Sequence, residues 1–297
     1  MLQLLKAFFS CAIFFCTISV YAQEFPPVIQ QDSVCYKFSF LKGDSLVYLV
    51  TASDSIVLDK QPQLVKRRTE SILLVCDSVG ANGHFYLTQS LVGFAARESI
   101  RDTSTMMRFE SAWLKRRASF EIDETGKRYS WRPDDSTREA VDPGGAFQQN
   151  LIFPIIESCK RVNESWMVRA TDDLPENGVP APVREHTTMF RALDPVDTLG
   201  ERCNRFQITL TGQGVSVNGV EGKKIRTTSI LTTFGIMEIS TEKHIPVHFF
   251  VVSETKLKIE TQRGQSTQGK QFNRMNYTLV SYRSKNPQKI PLKSKAF

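Results

Sequence analysis

VHFFVVSETKLKIET, residues 247–261, decides the fold class. Its first part, 247–253, is rich in β-branched and aromatic side chains, which pack well on a pleated surface and lose rotamer freedom in a helix. In its second part, 254–261, apolar and polar residues alternate, the period of a strand with one face toward water. Working outward, the same composition recurs at 34–41 (VCYKFSFL), 45–51 (SLVYLVT), 70–76 (ESILLVC), 84–92 (HFYLTQSLV), 205–211 (RFQITLT) and 277–282 (YTLVSY). Turn residues separate these runs at Lys42-Gly43-Asp44, Ala81-Asn82-Gly83, Glu124-Thr125-Gly126-Lys127, Asn218-Gly219 and Arg263-Gly264. Many short strands joined by turns predict a mainly β fold, an antiparallel curved sheet or half-barrel with little helix. Two segments carry helical spacing. Residues 106–118 place Met106, Phe109, Trp113 and Arg116-Arg117 at spacings compatible with a helix, though a twisted strand fits them nearly as well, and 144–160 has room for one helical turn ahead of Pro154.

An internal repeat divides the chain into two similar halves. KGDSLVYLVTASD at 42–54 aligns with VNESWMVRATDDL at 162–174, matching Asp44 with Glu164, Ser45 with Ser165, Leu46 with Trp166 and Thr51 with Thr171. GHFYLT at 83–88 aligns with NRFQIT at 204–209, and FEIDETGK at 120–127 aligns more loosely with MEISTEK at 237–243. The resulting organisation is a signal peptide at 1–22, an N-terminal β half at 23–143, a connector at 144–161, a C-terminal β half at 162–284 and a basic flexible tail at 285–297. Pro143-Gly144-Gly145 breaks the chain at the boundary, and the apolar connector after it is expected to pack between the halves.

The first 22 residues have the three parts of a secretion signal. Lys6 gives a positive start, residues 7–20 are apolar apart from Ser10, Thr17 and Ser19, and Val20-Tyr21-Ala22 offers side chains suited to signal peptidase. The apolar run is shorter than the roughly 20 residues a stable span needs. Neither Cys11 nor Cys16 sits in a lipobox pattern, so a free protein starting near Gln23 is expected, periplasmic or secreted. Its other cysteines are Cys35, Cys76, Cys159 and Cys203, an even number for an oxidising space. Four cysteines allow three pairings, and the sequence does not choose among them. A net charge of +7 over 297 residues, with 41% hydrophobic residues, is ordinary for a globular protein.

Leu41-Lys42-Gly43-Asp44 and Arg161-Val162-Asn163-Glu164-Ser165-Trp166 resemble the "KKGD" and "VGDSW" strand-opening motifs of exported bacterial β-rich families of unknown function. Those families are distantly like the periplasmic lipoprotein carriers. Asn163 stands where the motif has glycine. The resemblance implies a curved antiparallel sheet in the envelope and brings no catalytic residues with it.

The search for chemistry is mostly exclusion. His244 and His248 share a strand face but lie about 13 Å apart if extended, too far to hold one metal. Gly214 to Gly219 is one residue too long for a nucleophile elbow, and Asp134-Asp135 and Asp172-Asp173 read as solvated turn acids. No phosphate-binding glycine motif is present, and no cofactor is expected. Two basic runs, Lys66-Arg67-Arg68 and Lys115-Arg116-Arg117, are candidates for contact with an anionic surface. The expected role is a non-enzymatic envelope protein that binds a lipid or other apolar ligand on its sheet. The alternative is an assembly module that pairs a partner along a sheet edge. An exported chain is not expected to meet nucleic acid, and no segment after residue 22 is long and apolar enough to span a membrane.

Overall fold

Period-two alternation runs farther along the chain than the short segments above suggest, and it builds one antiparallel sheet of twelve strands. The computed structural model describes residues 33–100, 104–111, 114–133, 156, 159–172, 183–220, 223–261 and 264–284. The signal segment, the tail from 285 and most of the connector lie outside them, as do Pro154, Trp113, Asp134, Asp135 and Asp173.

The N-terminal part contributes β1 (Ser33–Cys35), β2 (Ser45–Leu58), β3 (Gln61–Val79), β4 (Phe85–Ile100), β5 (Ser104–Arg108), β6 (Arg117–Ile122) and β7 (Arg128–Pro133). The C-terminal part contributes β8 (Cys159–Arg161), β9 (Ser165–Asp172), β10 (Val183–Thr198), β11 (Glu201–Val220), β12 (Lys223–Ser240), β13 (Pro246–Thr261) and β14 (Ser266–Arg283). The sheet order is β7-β6-β4-β3-β2-β14-β13-β12-β11-β10-β9, with β5 also on β4. One meander therefore runs outward from β2 to β7, and a second runs inward from β9 to β14, which pairs with β2. Both halves share a single sheet. β1 and β8 form a separate two-stranded ladder.

Of the two readings of 106–118, the strand holds at both ends: 106–108 belong to β5 and 117–118 open β6, each paired to β4. Two expectations change. Asn218-Gly219 is not a turn, because both residues pair within β11, opposite Ile225 and Lys224. The run 34–41 is a strand only at its start. Residues 36–41 stay extended but join no sheet, and Val34, Tyr36, Phe38 and Phe40 are all buried.

That extended segment explains the curvature. Phe38 N–H donates to Glu124 O in the β6–β7 turn, and the next residue, Ser39, donates to His244 O in the β12–β13 turn. In a flat sheet β6 and β12 would stand six strand spacings apart, about 29 Å. Adjacent residues can bond both turns only if the sheet curls around them. The segment then lies against the inner face: Tyr36 packs on Trp166 and Phe206, and Phe40 packs edge-on against Phe85. Tyr36 Oη donates to Arg205 O, and Asn204 Nδ2 donates to Cys35 O. Leu46, Tyr48, Leu74, Leu87, Phe190 and Phe249 complete the core beneath it.

The two strand-opening motifs adopt one turn. Gly43 and Asn163 both have positive φ, 88° and 70°, a region that glycine enters freely and asparagine tolerates. Leu41 N–H donates to Asp44 Oδ2, as Arg161 N–H does to Glu164 Oε2. Gly43 N–H donates to Cys76 O, and Asn163 N–H to Ala192 O. The third aligned segment departs from the pattern: Phe85 pairs with Ile122, whereas Phe206 pairs with Met237, so the two registers differ by two residues.

Candidate functional site

Every long strand outlasts the core. On β2 the inward positions run Leu46, Tyr48, Val50 and Ala52, then Asp54, Ile56 and Leu58. On β14 they run Leu279, Tyr277 and Met275, then Asn273, Gln271 and Gly269. Cross-strand register aligns these positions into rows, so the inner face changes character row by row. The first rows are mainly apolar core, though on β3 Glu70 and Arg68 already stand opposite Val50 and Ala52. The row holding Ser253, Asn273, Asp54, Lys66 and Glu98 is polar throughout. Beyond it apolar side chains return among polar ones: the next row reads Leu231, Thr255, Gln271, Ile56 and Leu64, and the one after it holds Leu257, Gly269 and Leu58, with these leucines and Ile56 all half-buried. Gly269 makes this outer row possible: a Cβ there would meet Leu58 Cδ2 at 2.6 Å, so Leu58 lies directly across the glycine.

The polar belt is built from ion pairs. Arg68 is paired with Asp54 through Nη1 and with Glu70 through Nε at 2.8 Å. Lys66 Nζ stands 2.9 Å from Glu98 Oε1, and Arg108 Nε stands 2.6 Å from Glu98 Oε2. Lys66 also sits over the Phe94 ring, 5.4 Å from its centroid. Three cations meet three carboxylates, which is what keeps charges tolerable at this depth. Burial pushes the Asp54 carboxyl up, against the pull of Arg68 and Lys66. Two oxygens remain without a hydrogen-bond donor, Asp54 Oδ1 and Asn273 Oδ1, on directly opposed residues of β2 and β14.

Strand alternation splits the first basic run. Arg67 points outward and is exposed, while Lys66 and Arg68 turn inward into the belt. Arg68 is 5% exposed, so it is not placed to meet an anionic surface. Lys115 and Arg117 are exposed and Arg116 is half-buried, with Lys115 N–H donating to Leu91 O. The structure does not bring the two runs together as one patch: Lys66-Arg67-Arg68 lies mid-strand in β3, whereas Lys115-Arg116-Arg117 leads into β6.

Of the four cysteines, Cys35 and Cys159 form a disulfide across the β1–β8 ladder. Cys76 and Cys203 are buried thiols, five strand positions apart, each donating weakly to a carbonyl two residues away (Ser78 O and Glu201 O). Burial, reinforced by nearby carboxylates, pushes both up to about 12. His248 is held by Glu238 at 3.4 Å and by Asn276 at 2.6 Å, and His244 occupies the β12–β13 turn. Ser216 lies within β11, opposite Thr227, and not on an elbow.

Sequence reading missed Asp54, Glu70, Glu98, Arg108 and Asn273. A signal was present for Asp54: it continues the period-two series of Leu46, Tyr48, Val50 and Ala52, where an apolar residue is expected. No protein-family model matches this chain, and no curated protein matches it. Among the described residues no helix is long and apolar enough to cross a membrane. The Cys35–Cys159 bond is compatible with an oxidising location.

Proposed function

We propose that this chain is a non-enzymatic exported envelope protein, periplasmic or secreted, that binds a lipid or other apolar ligand on the inner face of its curved sheet. The observation that carries the reading is the return of apolar side chains beyond the polar belt. Leu58, Leu64, Leu231 and Leu257 stand half-buried at inward positions outside the core, with Thr255 and Gln271 among them, and apolar surface on a concave face is a favourable seat for an apolar ligand. The disulfide supports the exported location, as does the resemblance to exported β-rich families. The test is titration with the uncharged probe N-phenylnaphthylamine, together with mass spectrometry of lipid extracted from the protein. Saturable probe binding that weakens at least tenfold in Leu257→Glu is the expected result. A protein that carries no lipid and binds no probe would falsify the proposal.

A second reading, partner pairing at a sheet edge, has its own observation. β5 pairs only with β4 among the described residues, and it exposes Met106 and Met107, with Phe109 66% exposed just after it. Methionine-rich edges adapt to varied partners. Crosslinking from position 107 that captures one abundant envelope protein, with no bound lipid, favours this reading over the first.

A further inference from the structure

We infer that the ligand's head group is neutral and hydroxyl-bearing, and that it is seated on Asp54 and Asn273 at the inner margin of the apolar rows. This rests on the reading of that face as a ligand seat. Asp54 and Asn273 are 6% and 5% exposed and directly opposed across β2 and β14, and each keeps one Oδ1 without a donor. Asp54's other oxygen is occupied by Arg68. Two adjacent buried acceptors that lack donors call for a group rich in O–H or N–H.

Charge selects among such groups. Arg68, Lys66 and Arg108 already balance Asp54, Glu70 and Glu98 through ion pairs. An ammonium head could donate to both oxygens but would add a positive charge beside Arg68 and Lys66 in a belt already balanced, and a carboxylate head would face two acceptors with no proton to give. A neutral polyol escapes both penalties. The same row continues with Ser253 and Thr233, whose hydroxyls are 2.9 Å apart, so further hydroxyl partners extend beside the seat. The chain of such an amphiphile then passes over the rows of Ile56 and Leu58, about 13 Å along the strands. The ligand class is a neutral hydroxylated amphiphile, such as an alkyl glycoside or a monoacylglycerol.

Three probes with one chain and different heads test this: octyl glucoside, octanoate and octylammonium, each competing with N-phenylnaphthylamine below its micellar concentration. Octyl glucoside is expected to compete at least tenfold better than the other two. Asn273→Leu is expected to abolish that preference while leaving octanoate competition unchanged; Asn273→Ala serves if the leucine variant does not fold. Equal competition by the three heads, or a preference that survives both variants, overturns the assignment. If the naphthylamine itself does not bind, the reading of the face falls and the head assignment falls with it, a result distinct from equal competition.

Discussion

At the residue scale, the chain spends its buried charges in pairs, and one pair sets a pH window. Glu238 accepts hydrogen bonds from Thr198 at 2.7 Å and from His248. Burial works against the Glu238 carboxylate, but those bonds win and hold it below its usual range of 4.5. The bond to Glu238 is the main reason the His248 imidazole is raised above 6.5, with Asn276 adding to it and burial opposing. A lowered acid contributes stability above its unfolded value and loses it as pH falls through the folded one. A raised base contributes below its unfolded value and loses it as pH rises through the folded one. The pair therefore stabilises most between about pH 4.5 and 6.5 and fades above that. In thermal melts at pH 5.5 and pH 8, the native chain is expected to lose more stability on going to pH 8 than His248→Gln does. Equal losses in both proteins would show that the pair is not ionised.

At the scale of elements, hairpin geometry outweighed composition. Asp59-Lys60 joins β2 to β3 and Leu199-Gly200 joins β10 to β11, each with two positive φ values, the mirror-image turn that matches strand twist. Neither was legible, because Asp-Lys and Leu-Gly carry weaker turn signals than the Asn218-Gly219 that lies inside a strand. Lys60 sits at φ 67° with a side chain that disfavours that region. Lys60→Gly is expected to raise stability by about 0.5–1 kcal/mol, read as a higher urea midpoint at an unchanged slope. Asp59 should be kept, since its carboxylate accepts from Gln268 N–H at 3.0 Å. The strand centres were readable because β-branched and aromatic residues cluster where the sheet meets the core. Strand ends were not, since beyond the core the inner face turns polar and the alternation blurs. The belt shows the same limit: Lys66 and Arg68 read as a surface run until alternation assigns them to the inner face and Arg67 to the outer.

At the scale of the molecule, the mainly β fold with little helix followed from composition and turns, but the way its parts are tied did not. Similar intervals separate Cys35 from Cys76 and Cys159 from Cys203, yet the bond formed joins Cys35 to Cys159, 124 residues apart. A closure of that length contributes about 2–5 kcal/mol by restricting the unfolded chain. For a chain starting at Gln23, reduction is expected to lower the urea midpoint and steepen the slope, as the unfolded state expands. A thiol reagent such as dithionitrobenzoate is expected to find no reactive thiol in the native protein and two after unfolding without reductant. Prompt native labelling would contradict the burial of Cys76 and Cys203.

The last of the described strands lies at the middle of the sheet. β14 pairs with β13 on one side and β2 on the other, and Tyr282 Oη reaches Asp44 in the first long hairpin's opening turn. A polypeptide that emerges N-terminus first thus holds its earliest long strand, β2, half-paired until β14 arrives. Two hairpin arrays wait with open edges, and one late insertion joins them. Pairings this distant are slow to form and vulnerable to aggregation. The interval between emergence of β2 and arrival of β14 is when this chain most needs a chaperone's protection, and a stop codon a few residues before Ser266 would leave two unmatched sheets in place of a slightly shorter protein.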